Sequence, residues 1–83
     1  GKDFDGVISG VTERGLYVEL IENKCEGMIR AMDIKGDYFH FDMDRHALIG
    51  ERTKKVYQLG DSLKIRVKKV NLIKRFLDFI PID

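Results

Sequence analysis

Gly60-Asp61-Ser62-Leu63-Lys64-Ile65-Arg66-Val67-Lys68 is the stretch on which the fold class turns. Leu63, Ile65 and Val67 alternate with Lys64, Arg66 and Lys68. Successive side chains of a strand point to opposite faces, so this period of two predicts a strand with one apolar face on a core and one cationic face in water. The Gly-Asp pair ahead of it reads as the turn that admits the strand. The same alternation recurs upstream, where Leu16, Val18 and Leu20 interleave with Tyr17 and Glu19. It recurs downstream, where Leu77 and Phe79 flank Asp78.

Glycines and turn residues divide the rest into five strands. The first covers 4–12 and contains Gly6 and Gly10, which would permit a bulge or tight coiling. Gly15 separates it from the second strand, 16–20, and Glu22-Asn23-Lys24 forms the next turn. Strands at 26–30, 61–70 and 75–82 follow, the last two joined by a turn over Asn71 to Lys74. Residues 31–58 interrupt the series with one helical turn at 31–34 and short extended pieces near 38–41, 47–49 and 54–57. They read as a β-hairpin insertion between strands three and four. No long segment has a helical period of 3.6. The expectation is an all-β, five-stranded OB-fold barrel occupying 1–83 as a single domain.

Composition narrows the function classes. The 83 residues have room for one small core and no second lobe. No apolar run is long enough for a transmembrane helix, and the N-terminus does not read as a signal peptide. One cysteine, Cys25, makes no internal disulfide and suits a reducing cytosol, so a cytoplasmic location is expected. His40 and His46, with Asp42 and Asp44, lack the spacing of a known metal site. No phosphate loop or nucleophile–base pair is present, so the chain is not expected to be an enzyme. Net charge is +1, but its distribution is uneven: residues 1–42 sum to −4 and residues 43–83 to +5. The basic second half would form a positive stripe if its cations shared one face; otherwise it is a solvated surface.

The order of features resembles the S-one RNA-binding domain, the module of ribosomal protein S-one. Phe4-Asp5-Gly6-Val7-Ile8, Gly15-Leu16-Tyr17-Val18, Glu26-Gly27-Met28-Ile29 and the quoted Gly60–Val67 stretch carry the likeness over the whole chain. Cys25 to Arg30, Asp37-Tyr38-Phe39-His40-Phe41-Asp42, Gly50-Glu51-Arg52-Thr53 and Lys74 to Phe79 are similar to the RNase R branch of bacterial exoribonucleases. That resemblance implies a monomeric module for single-stranded RNA, attached to a parent that degrades RNA from its 3′ end. It implies no cofactor in this domain, magnesium being confined to a separate catalytic domain. The partners implied are single-stranded RNA and the remainder of the parent chain, with no membrane.

Single-stranded RNA is held by aromatics that stack on bases and by cations that meet phosphates. Tyr17, opposite in phase to Leu16 and Val18, is the leading stacking residue; the plainer reading is a half-buried strand tyrosine. Arg30 ends strand three where the wider family often has histidine. Arg14 stands where the family usually has a second aromatic, which exchanges a stacking platform for a cation. Lys64, Arg66 and Lys68 could track phosphates or merely solvate the barrel. Phe4 matches the family's opening aromatic but could equally close the barrel. Near the last turn, Asn71 and Arg75 stand nearest the family's Asp and Arg, and Phe76 competes with Arg75 for the outward slot. Tyr38, Phe39 and Phe41 read as packing for the insertion, with an exposed Tyr38 able to extend the RNA path. The rival readings are a protein-interaction module, with 38–41 as its surface, and an S-one domain of another RNA-processing or translation protein.

Overall fold

The computed structural model describes residues 3–71 and 76–82, with the backbone alone described for Lys69, Val70, Asn71 and Phe76. Its strands are β1 (Asp3–Thr12), β2 (Gly15–Leu20), β3 (Glu26–Arg30), β4 (Phe39–Asp42), β5 (Ala47–Gly50), β6 (Val56–Gln58), β7 (Ser62–Asn71) and β8 (Phe76–Pro81). A 3-10 turn covers Ala31–Asp33. Five strands close into a barrel in the order β1-β2-β3-β8-β7, as the alternating pattern predicts.

Closure depends on β1 serving two neighbours. Its first half pairs with β7, from Asp3↔Arg66 to Val7↔Ser62. From Gly6 onward it also pairs with β2, and a bulge between Ile8 and Gly10 lets it turn from one to the other. The ring is completed by a short parallel contact between β3 and β8, Gly27↔Leu77 and Met28↔Asp78. Only glycine fits at 27. A Cβ there would stand 2.5 Å from the Leu77 carbonyl oxygen and 2.6 Å from a Phe79 ring carbon.

The inward set is the apolar phase of each strand. Ile8, Leu16, Val18, Leu20, Ile29, Ile65 and Phe79 are buried, and they form one cluster with Ile34, Leu48 and Tyr57 of the insertion. At about 25 cal/mol per Å² of apolar surface, each such aliphatic side chain contributes roughly 1.5–3 kcal/mol. Phe4, set opposite Ile65, packs against this cluster and so helps close the barrel.

The insertion differs from the expected hairpin. It is a three-stranded antiparallel sheet in the order β4-β5-β6. The third strand exists because Asp37 captures the turn that leads into it. The Asp37 carboxylate accepts hydrogen bonds from the Thr53 N–H and hydroxyl, each 2.7 Å, and from the Arg52 N–H at 3.1 Å. These donors, led by the Thr53 N–H, hold its pKa well below the usual carboxylate range. Phe41, Leu48 and Tyr57 make the inner row of this sheet, and Phe39 meets Tyr57 with ring centroids 5.5 Å apart. Phe39 and Phe41 therefore pack the insertion, whereas Tyr38 stands in solvent.

Candidate nucleic-acid interface

Tyr17 occupies the middle of β2, between buried Leu16 and Val18, and so faces outward. It pairs with Gly10 on one side and Met28 on the other. Met28 in turn pairs with Asp78. The row Gly10–Tyr17–Met28–Asp78 thus crosses four of the five barrel strands. Its first member matters by what it lacks. A Cβ at Gly10 would lie 3.4–3.8 Å from Tyr17 Cδ2, Cβ and Cγ, so the tyrosine lies over bare backbone. Its ring is carried on a flat floor, which is how a stacking platform is kept rigid.

Arg30 follows Met28 on the same face of β3 and pairs with Gly15. Arg14 occupies the β1–β2 turn, where its N–H donates to Thr12 Oγ1 at 3.2 Å. Its carbonyl accepts the Ala31 N–H at 2.9 Å, which fixes the turn against the end of β3. The backbones of Arg14 and Arg30 are therefore adjacent on one side of the Tyr17 row, and both residues are exposed. Among the described residues neither guanidinium forms an ion pair. One aromatic, one thioether and two cations form a patch suited to a base and its flanking phosphates, with the carboxylate-bearing Asp78 at the far end of the row.

The β7 cations are differently placed. In the closed order β7 lies across the barrel from β2 and β3. Lys64 pairs with Asp5, whose carbonyl accepts the Ile21 N–H, so Lys64 aligns with the end of β2 remote from Arg14. Arg66 Nε lies 2.9 Å from Asp3 Oδ1. Lys68 reaches the 3-10 turn after Arg30, but there its Nζ sits 3.1 Å from Asp33 Oδ2. Lys64, Arg66 and Lys68 thus share the exposed face of β7, and two of them, Arg66 and Lys68, meet carboxylates of the acidic first half. The backbone of Asn71 sits at the β7–β8 tip, paired with Phe76 next to the Leu77 that meets β3. Arg75 lies outside the described residues.

Sequence reasoning missed Gly10, Met28 and Asp78. Met28 could have been found from its phase with Arg30. Gly10 was read as a site for a bulge, and that bulge is there, but the register that sets it beside Tyr17 was not legible. The described residues contain no cluster of three or more His, Cys, Asp or Glu able to hold a metal ion. No described helix is long and apolar enough to cross a membrane.

Comparison with known proteins fixes the lineage. The S1 RNA binding domain family matches residues 1–79. The chain belongs to the S1 RNA-binding domain family. Among relatives of this S1 domain, ribonuclease R of Aquifex aeolicus is 39% identical over 83 residues, covering 100% of the chain and 12% of that protein. Ribonuclease R of Vibrio cholerae is 37% identical over 79 residues, covering 95% and 10%. The S1 domain thus spans about a tenth of the ribonucleases it resembles. In structure it is similar to Mycoplasma genitalium RNase R in complex with ribose methylated single-stranded RNA. That match has a TM-score of 0.91 at 33% identity, over 99% of this chain and 13% of the other. An uncharacterized Methanocaldococcus jannaschii protein shares the fold at 22% identity, with a TM-score of 0.66 over 99% and 89% of the two chains.

Proposed function

We propose that this S1 domain is the single-stranded RNA-binding module of a larger RNase R-like 3′-to-5′ exoribonuclease, and that it holds or feeds substrate to a catalytic domain elsewhere in the parent. The observation that carries the reading is the Tyr17 ring lying over Gly10, with the backbones of Arg14 and Arg30 fixed beside it. The run of ribonuclease R relatives, one of them in complex with single-stranded RNA, supports the same assignment. Binding draws on base stacking and phosphate contact, so it has little sequence preference. Affinity of the module alone is weak, since a parent with several RNA-binding parts gains from their linkage. The module acts as a monomer in the cytoplasm of a bacterium, and magnesium chemistry belongs to the parent's catalytic domain.

Titration of labelled single-stranded RNA into the 83-residue chain tests this. Tyr17→Ala and Arg30→Ala should each weaken binding at low salt. Unchanged binding in both variants would place the interface elsewhere. Incubation of the chain with RNA and magnesium should leave the RNA intact.

A further inference from the structure

The RNA path does not have to end at Arg30. The 3-10 turn that follows it packs against both β2 and the insertion strand β4. It carries Met32, 84% exposed, outward. Beyond the turn lies a cleft of about 560 Å³ lined by Gly36, Asp37, Tyr38, Glu51 and Arg52. That volume is within the range of small-ligand sites.

The walls of the cleft are held rigidly. The Tyr38 N–H donates to Asp37 Oδ1 at 2.7 Å, and its carbonyl accepts the Glu51 N–H at 2.9 Å. Arg52 Nη2 donates to the Gly36 carbonyl at 2.9 Å, which ties the guanidinium to the cleft's wall. A guanidinium has five donors, so most remain for a ligand. The Asp37 carboxylate is occupied by the Thr53, Arg52 and Tyr38 donors. Tyr38 itself is 83% exposed on this fixed backbone. Arg52 is the cation among the lining residues, and of the two carboxylates beside it Asp37 is already taken up by the Thr53, Arg52 and Tyr38 donors.

An exposed aromatic on rigid backbone beside a planar cation is the arrangement that takes a base and its phosphate. We propose that the cleft is a second nucleotide subsite, in which Tyr38 stacks a base and Arg52 receives the adjoining phosphate of an RNA strand that has passed Tyr17, Arg30 and Met32. The subsite rests on the RNA-binding reading above and extends it onto the insertion.

The experiment compares two oligouridylates, about 4 and about 12 nucleotides long, within the site sizes known for OB folds. Both are titrated by fluorescence anisotropy against the wild-type chain, Tyr17→Ala, Tyr38→Ala, Tyr38→Phe and Arg52→Gln. The long oligomer should lose about 5-fold or more in affinity with Tyr38→Ala, and Tyr38→Phe should restore it. Arg52→Gln should lower the salt slope for the long oligomer by about 0.7. The short oligomer should bind Tyr38→Ala as it binds wild type, and should lose affinity with Tyr17→Ala. If Tyr38→Ala and Arg52→Gln bind the long oligomer like wild type while Tyr17→Ala does not, the second subsite is wrong and the primary interface stands. If the wild-type chain binds neither oligomer, both fail.

Discussion

Two single residues decide how the interface works. Tyr17 supplies the stacking surface, and Gly10 supplies the space beneath it. The cavity under the ring accepts one Cβ in ordinary contact, so Gly10→Ala should retain RNA affinity. Gly10→Ile, with a branched side chain, should push the ring off its floor and weaken binding with the barrel intact, as anisotropy and a thermal melt would show. Tyr17→Ala should cost roughly 1–3 kcal/mol of binding free energy, the usual worth of one stacked base. Tyr57 carries a stability prediction. It is 6% exposed, and its hydroxyl is buried without a hydrogen-bond partner among the described residues. A buried unsatisfied group costs about 1–3 kcal/mol. Tyr57→Phe should therefore leave stability unchanged or raise it by up to about that amount, read as the urea midpoint at constant slope.

At the scale of elements, the five barrel strands were legible because three of them alternate and glycines and turn residues delimit the other two, and their bounds in the sequence reading fall within a residue of the structure. The third insertion piece was read as extended at 54–57, but its pairing into a three-stranded sheet was not legible. Val56-Tyr57-Gln58 is too short for a periodic signal, and it is specified by Asp37 fifteen or more residues upstream. Local patterns cannot report a contact of that range. The phase of Phe4 was ambiguous for a related reason, since its pairing with Ile65 crosses the whole chain. The Asp37 tie has a pH signature. Its folded pKa is depressed, so its stabilisation is complete above the ordinary carboxylate value of 3.8 and is lost as pH falls through the lower folded value. The difference in thermal midpoint between wild type and Asp37→Asn should stay constant down to about pH 4 and shrink only below it. A difference that vanished between pH 6 and pH 5 would contradict the hydrogen-bonded geometry.

The whole molecule separates what composition joined. A basic second half suggested a stripe of phosphate-binding cations, yet barrel order puts Lys64 and Arg66 across from Tyr17, with Asp3 and Asp5 beside them. The exposed Arg66–Asp3 pair is worth at most about 1 kcal/mol, so it orders the surface more than it stabilises the fold. Topology alone decides which cations can act together, and a period of two carries no topology. The salt dependence of RNA binding should follow from this: Arg14→Ala and Arg30→Ala should each flatten the log–log slope by about 0.7, whereas Lys64→Ala should not. The insertion adds to the barrel's core through Leu48 and Tyr57 and so sits as part of one body with the interface.

An amide shift map of the labelled chain with single-stranded RNA addresses the central claim most directly. The largest perturbations are expected at Gly10, Arg14, Tyr17, Met28 and Arg30, on one contiguous face of β1, β2 and β3. Perturbations confined to Lys64 and Arg66 on β7, with that face silent, would contradict it.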